Sequence, residues 1–124
     1  MIKFYLCQHC KNVTIKVVDS QVPLVCCGEK MVELIPMQSD GALEKHLPVL
    51  SFDGDKLTVT VGEVLHPMME NHYINFIVVE LKDGYIIKHL NPTSQPVATF
   101  NVNKADVVAV YEYCNLHGLY KVEM

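Results

Sequence analysis

The amino-acid sequence predicts an all-β fold, and three observations support this prediction. Residues 57–61 alternate apolar and polar side chains, which is typical of a strand with one buried face. Turn-forming sequences such as Asp83-Gly84 and Asn91-Pro92 separate several short runs of this kind. No apolar repeat with the period of a helix extends over any length of the chain. Six or seven short strands over about 85 residues predict an immunoglobulin-like β-sandwich.

Residues 1–36 are expected to form a separate small module. Runs with β character at 2–6 and 13–18 are each followed by a pair of cysteines. A segment of this length cannot bury enough apolar surface to fold alone, so it requires a metal or a disulfide. The polar stretch 38–41, after Pro36, has the composition of a linker. We therefore expect two domains, residues 1–36 and residues 37–124.

The strands of the predicted sandwich follow one another along the second domain. They are expected at residues 57–61, 73–81, 85–90, 97–102, 107–113 and 119–122. Further turns at 53–55 and 115–118 contain aspartate, asparagine and glycine, which adopt turn conformations most readily.

Composition argues against several classes of function. The net charge is −4 and all ten basic residues are lysine, so the chain has no guanidinium group with which to clamp phosphate or contact guanine. Nucleic acid is therefore not an expected partner. The sequence also has no glycine-rich phosphate loop and no Gly-x-Ser-x-Gly elbow, which argues against nucleotide binding and serine hydrolysis.

The five cysteines are expected to be reduced. No secretory signal precedes them, because residues 1–6 are too short for an apolar targeting core. A reducing, cytoplasmic setting favours metal binding over disulfide formation. No run of 18 apolar residues occurs, so no membrane span is expected.

Four cysteines in the N-terminal module form the first candidate metal site. Cys7-x-x-Cys10, followed after fifteen residues by Cys26, has the spacing of zinc ribbons and rubredoxin-type knuckles. Cys27 is adjacent to Cys26, so a local bend is needed to bring both sulfurs to one metal, and Gly28 can contribute to that bend. Tetrahedral sulfur suits iron or zinc equally. A purely structural zinc clip and a strained Cys26–Cys27 disulfide are the alternatives.

A second candidate site lies in the sandwich domain and combines imidazoles with a thiolate. Its predicted ligands are His46, His66, His72, Cys114 and His117. Four imidazoles and one thiolate would nearly fill an octahedral iron and leave one position open for a small oxygen species. His89, the remaining histidine of this domain, shares a strand face with Tyr85 and Ile87, so we expect it at the sheet surface. Two metal sites of different chemistry indicate a redox function.

Taken in order, these motifs closely resemble those of desulfoferrodoxin, the two-iron form of superoxide reductase. The matching motifs span the whole chain: Cys7-x-x-Cys10, Cys26-Cys27-Gly28, Glu44-Lys45-His46-x-Pro48, His66-Pro67-Met68, His72 and Cys114-Asn115-x-His117-Gly118. The resemblance implies a desulforedoxin-like module at residues 1–36 and a superoxide reductase catalytic domain at residues 37–124.

The resemblance also implies two irons in each chain. One would form an Fe(Cys)4 centre, where zinc is also possible, on Cys7, Cys10, Cys26 and Cys27. The other would be the catalytic iron, with an axial thiolate from Cys114 and an equatorial plane formed by His46, His66, His72 and His117. In this family the iron(II) passes one electron to superoxide, which leaves as hydrogen peroxide after protonation.

Glu44 and Lys45 would lie on a loop over the open sixth position. The resemblance implies that the oxidised iron takes Glu44 as its sixth ligand and that rubredoxin or a similar small donor then reduces it. The positive charge of Lys45 can steer an anion towards the site of an otherwise acidic protein. The alternative is that Lys45 is an ordinary solvated lysine on a loop. The resemblance further implies a homodimer.

Two residues depart from the family pattern. Members commonly have glycine directly after Cys-x-x-Cys, where this chain has Lys11, and tryptophan where this chain has Tyr120. The first departure is expected to alter the backbone near the N-terminal metal, and neither removes a ligand of the catalytic site.

Two other functions fit parts of the pattern. An iron electron-transfer protein would use both metals without oxygen chemistry, and a zinc-binding interaction module would leave the histidines unused. The open sixth position argues against pure electron transfer, which favours saturated sites.

Overall fold

The computed structural model describes residues 1–40, 45–63 and 65–124, and almost all of their regular structure is β-strand. The chain divides into two compact units, Met1–Ile35 and Pro36–Met124. Among the described residues, no helix is long and apolar enough to cross a membrane. The all-β fold class predicted from the sequence is confirmed.

The first unit contains short antiparallel strands. They are β1 (Phe4–Leu6), β2 (Val13–Ile15), β3 (Val25–Cys26), β4 (Glu29–Lys30) and β5 (Val32–Leu34). Strand β1 lies between β2 and β5, while β3 and β4 form a separate hairpin. Cys7 and Cys10 follow the end of β1, and Cys26 and Cys27 lie at the turn of the β3–β4 hairpin.

The predicted strand at 13–18 is too long. It ends at Ile15, and Val17 and Val18 are 83% and 85% exposed. The physical reason is a turn closed by Lys16, whose ammonium donates hydrogen bonds to the Asp19 carboxylate at 3.0 Å and to the Val22 carbonyl at 2.8 Å. The apolar side chains of Val17 and Val18 are therefore not enough to continue β2, because the preceding Lys16 is hydrogen-bonded within the turn.

In its described part, the second unit contains seven strands. They are β6 (Pro48–Asp53), β7 (Lys56–Val61), β8 (Ile74–Leu81), β9 (Gly84–His89), β10 (Val97–Asn101), β11 (Val107–Cys114) and β12 (Gly118–Glu123), with a 3₁₀ turn at Lys104–Asp106. They form two antiparallel sheets, ordered β10-β7-β6 and β12-β11-β8-β9. The predicted strands of this unit are all present, with ends that shift by no more than one residue.

The core lies between the two sheets. Leu57 and Val59 of β7 are completely buried, while Thr58 and Thr60 between them remain partly exposed, as the alternating pattern predicts. They pack in one cluster with apolar residues of both sheets, including Ile77, Val79, Ala98, Phe100 and Val110. Two sheets that bury one face each against the other form a β-sandwich.

Strand β6 is absent from the sequence prediction, although its pattern is regular. Pro48, Leu50 and Phe52 alternate with the exposed residues Val49, Ser51 and Asp53. Proline at its first position is compatible with an edge strand, and β6 lies at the edge of its sheet.

Strand β11 changes register where it approaches its end. Tyr113 pairs with Phe76 of β8, whereas Cys114 pairs with Ile74, so one residue of β8 is skipped. Such irregularities redirect side chains and occur often beside functional sites. Here the irregularity lies directly before Cys114, the last residue of the strand.

Candidate metal centres

Five donor groups converge at one end of the sandwich. The donor atoms of His46, His66, His72, Cys114 and His117 all lie within 4.8 Å of one another. Three separate segments supply them: the segment before β6, the β7–β8 connection, and the end of β11 with the turn that follows it. Four of the five residues are buried and His117 is exposed, so the cluster meets solvent on one side.

The spacing of these donors fits a metal ion. His46 Nε2 and His117 Nδ1 are 3.1 Å apart, and Cys114 Sγ is 3.8 Å from the same His117 nitrogen. With metal–nitrogen bonds of about 2.1 Å, neighbouring nitrogens of an octahedron would be about 3.0 Å apart. His117 offers Nδ1 because it follows Cys114 in a short turn, a detail that sequence reasoning did not predict.

One imidazole is oriented by the backbone beside it. His66 Nδ1 lies 2.7 Å from the carbonyl oxygen of Pro67. Because a carbonyl can only accept, Nδ1 carries the proton and donates, which leaves the lone pair on Nε2. Metal-binding histidines are commonly oriented in this way by a hydrogen bond from the second ring nitrogen.

The backbone at His46 is held by a carboxylate. Asp40 Oδ1 accepts hydrogen bonds from the backbone N–H groups of His46, at 2.6 Å, and Leu47, at 2.9 Å. The imidazole of His46 also stacks on Tyr120, with ring centroids 4.5 Å apart and an interplanar angle of 8°. His46 is therefore held by a hydrogen bond from its backbone and by stacking against one face of its ring.

Hydrogen bonds also fix the segment that carries His72. Met69 and His72 exchange two backbone hydrogen bonds of 2.9 and 3.0 Å across a two-residue turn. Asn115 Oδ1 accepts from the Tyr73 N–H at 2.9 Å, and Asn115 Nδ2 donates to the Asn71 carbonyl at 3.1 Å. Asn115 thus connects the two segments that supply His72 and Cys114.

The four cysteines of the first unit form a second cluster. The sulfurs of Cys7, Cys10, Cys26 and Cys27 lie within 4.8 Å of one another. The Cys10–Cys26 sulfur separation is 3.5 Å and the Cys26–Cys27 separation is 4.0 Å. A tetrahedron with metal–sulfur bonds of about 2.3 Å has edges of about 3.8 Å, so the set fits one metal. A 4.0 Å separation is far longer than a disulfide bond, and none of the five cysteines, all of which lie in the described part of the chain, forms a disulfide.

The adjacent cysteines converge through a left-handed bend. Cys27 has φ of 54° and Gly28 has φ of 78°. The bend expected at this pair therefore includes Cys27 itself, where a residue with a Cβ atom is strained, as well as the glycine.

The thiols of this cluster have strongly separated acidities. Hydrogen bonds from the backbone N–H groups of Cys10 and His9 lower the pKa of Cys7 to about 6, against the opposing effect of burial. Interactions with the Cys7, Cys10 and Cys26 sulfurs raise the pKa of Cys27 to about 12. Thiolates this close repel one another, so all four become anionic together only when a cation joins them.

Comparison with known proteins agrees with this geometry. The family model for desulfoferrodoxin matches residues 38–123. The chain belongs to the desulfoferrodoxin family. The resemblance seen in the sequence motifs is therefore confirmed.

Relatives in the desulfoferrodoxin family match nearly the whole chain. Desulfoferrodoxin of Nitratidesulfovibrio vulgaris is 43% identical, over 98% of this chain and 95% of its own. The crystal structure of the superoxide reductase from Treponema pallidum is 28% identical and covers 99% of this chain and 98% of its own, with a TM-score of 0.84. The superoxide reductase of Thermococcus kodakarensis is 32% identical over 65% of this chain and 86% of its own.

The two departures from the desulfoferrodoxin pattern have clear structural settings. Lys11 adopts φ of 68°, a left-handed conformation that glycine adopts without strain. Its N–H donates to the Cys7 carbonyl at 2.9 Å, and its ammonium donates to the Gln8 carbonyl at 2.9 Å. Tyr120 supplies the aromatic face that contacts His46.

A buried acid close to the histidine and cysteine cluster was not predicted from the sequence. Glu112 is completely buried in β11, opposite Tyr120, and neither carboxyl oxygen has a hydrogen-bond partner within the described residues. Burial, together with the negative charge of Asp40, raises the pKa of Glu112 well above its usual range. It alternates with Val110 and Cys114 along β11, but nearly every residue of this strand is buried, so the alternation gives no signal that would have found it.

Lys45 is exposed and directly precedes His46. Glu44 lies outside the described residues. His89 lies on the exposed strand β9, opposite Phe76, as expected for a sheet-surface residue.

Proposed function

We propose that this protein is a superoxide reductase, an oxidoreductase that converts superoxide to hydrogen peroxide by one-electron reduction. The convergence of four imidazoles and one buried thiolate on a single point supports the proposal most directly. Membership of the desulfoferrodoxin family, whose relatives include proteins named superoxide reductase, supports it independently.

The metal of this site is proposed to be iron. An iron(II) ion held by these five residues would supply the electron, and five ligands would leave a sixth position for the substrate. Neutral imidazoles keep the ferrous state accessible, while the Cys114 thiolate, which is completely buried, adds negative charge that favours oxidation. The hydrogen bonds made by His66, Asp40 and Asn115 hold the ligands in position before the metal binds.

Charge at the entrance is proposed to attract the substrate. Superoxide is an anion and the protein carries a net charge of −4, so a local cation is needed to favour its approach. Lys45, exposed next to His46, supplies one. Glu44 is proposed as the sixth ligand of the oxidised iron. Peroxide release consumes two protons, which can arrive from water on the side where His117 is exposed.

The first unit is proposed to carry an Fe(Cys)4 centre that serves electron transfer, with zinc as the alternative metal. Residues 1–36 would then form the desulforedoxin-like module and residues 37–124 the catalytic domain. Rubredoxin or a similar small donor is proposed to return the electron. We further propose a cytoplasmic homodimer.

The gas and peroxide balance tests the reaction directly. Iron-loaded, fully reduced protein is given a known pulse of superoxide with a reductant present. Peroxide without oxygen indicates reduction, whereas oxygen released beside peroxide indicates dismutation and contradicts the proposal. No catalysed loss of superoxide would favour the electron-transfer alternative.

A further inference from the structure

An exposed methionine lies beside one histidine of the His4Cys cluster. Met69 and His72 are paired across a two-residue turn by two backbone hydrogen bonds of 2.9 and 3.0 Å. Side chains of directly opposed residues project to the same face, with Cβ atoms about 5 Å apart. The side chains of Met69 and His72 therefore leave the backbone on the same side of this turn.

Exposure distinguishes Met69 from its neighbour. Met69 is 53% exposed, so a small oxidant in solvent can reach this residue. Met68 packs against the core, and its sulfur accepts a hydrogen bond from the Ile74 N–H at 3.4 Å. Of these two adjacent methionines, Met69 is thus the one that is both paired with His72 and accessible from solvent.

We propose that Met69 is a site of oxidative modification, at which hydrogen peroxide leaving the His4Cys centre converts the thioether to the sulfoxide. The sulfur loses two electrons and gains one oxygen atom as the O–O bond breaks, and the second oxygen leaves as water. The inference rests on the proposed function, because superoxide reduction supplies the oxidant.

The sulfoxide would change the surroundings of His72. Oxidation converts a flexible apolar side chain into a polar one with a strong acceptor oxygen. The change would occur beside the turn that fixes this histidine, and the sulfoxide at Met69 would accumulate with repeated turnover.

The chain contains a matched control for this inference. Met124 is 54% exposed, nearly the same as Met69, so peroxide in bulk solution should oxidise the two at similar rates. It follows β12, which begins at Gly118 beside His117, so extended chain places it about 20 Å away. A difference in sulfoxide content between Met69 and Met124 during turnover therefore reflects their different distances from the source of peroxide.

The experiment exposes the full-length, iron-loaded protein to a steady flux of superoxide, with reductant present and catalase added to remove bulk peroxide. Peptide mass spectrometry, with fragment ions that separate Met68 from Met69, then measures sulfoxide at each methionine. We expect about fivefold or more sulfoxide at Met69 relative to Met124, and a ratio near one when metal-free protein receives hydrogen peroxide directly. Cys114→Ser under the same flux should remove the excess.

Three results would overturn the inference. Equal oxidation of Met69 and Met124 while peroxide is being produced would reject it and leave the proposed function standing. The same excess at Met69 in metal-free protein would show intrinsic reactivity instead of proximity, and preferential oxidation of Met68 would show that exposure does not select the site. If the superoxide pulse yields no peroxide, the proposed function fails as well, and the peroxide assay identifies that case.

Discussion

Cys114 is the residue whose chemistry should be hardest to replace. It is completely buried, at the end of β11, and its sulfur lies 3.8 Å from His117 Nδ1. Cys114→Ser substitutes a weak neutral ligand for a thiolate. We expect loss of the thiolate-to-iron absorption band and a fall in superoxide reduction of more than about 100-fold. This is a larger loss than is usual when a residue that only orients a metal ligand is replaced. Visible spectroscopy and pulse radiolysis measure the two effects, and wild-type turnover in this variant would contradict the assignment.

Lys45 should affect how quickly superoxide arrives. Lys45→Ala removes an exposed charge beside His46, so we expect the association rate to fall by up to about tenfold and to depend less on salt. Lys82→Ala makes the same change in net charge at the exposed β8–β9 turn and should have little effect. Rates measured over a range of ionic strength compare the two, and equal responses would indicate that only total charge matters.

Lys11 carries backbone strain that glycine would relieve. A side chain in the left-handed region costs about 1–2 kcal/mol, and the greater freedom of glycine in the unfolded chain offsets part of the gain. We expect Lys11→Gly to stabilise the first unit by up to about 1 kcal/mol and to slow metal release, since the Lys11 N–H is bound to the Cys7 carbonyl.

Gln21 provides the matched control for this change. It has the same φ of 68° but lies outside the two cysteine pairs. Gln21→Gly should raise the melting temperature without altering the rate at which a chelator removes the metal. If both variants slow metal release equally, strain at Lys11 has no special connection with the cysteine site.

At the scale of elements, the connections hold the histidine site more than the strands do. Asn115 joins the turn after β11 to the β7–β8 connection through hydrogen bonds to Tyr73 and Asn71. Asn115→Ala should lower iron affinity by about 10- to 100-fold, as expected for groups that orient metal ligands. Competition with a chelator measures this. Asn91→Ala removes a similar turn contact, to the Thr93 N–H, and should leave iron affinity unchanged.

Element-scale features also mark the limit of prediction from sequence. Six strands of the sandwich were predicted within one residue because apolar alternation and turn residues are local signals. Strand β6 was missed because proline and aspartate at its ends resemble turns. Glu112 was missed because both faces of β11 are buried, so alternation along that strand does not tell inside from outside.

The donor sets could be predicted from sequence, but their geometry could not. Residue type and spacing singled out the nine residues that the structure brings together in two clusters. That His117 turns Nδ1 towards the cluster depends on how a short turn bends back towards Cys114, which no motif encodes. The same holds for the Asp40 carboxylate that binds the backbone at His46.

At the scale of the whole molecule, the two units should be chemically separable. Each candidate metal cluster takes all its residues from one unit. Cys7→Ser should therefore lose one metal per chain and keep superoxide reduction at the second site. Metal analysis together with the peroxide assay tests this, and a folded, inactive variant with its second iron intact would contradict it.

The two clusters also differ in when they can exist during synthesis. Cys7 and Cys26 are 19 positions apart, whereas His46 and His117 are separated by 71. Chains emerge from the ribosome N-terminus first, and contacts between distant residues form late. With the proposed metals, the four-cysteine site would be able to bind its ion on a nascent chain, whereas the histidine site would form only after β11 has entered the sandwich. Under the proposed function, the histidine site would therefore bind its iron only in a chain whose second unit has already folded.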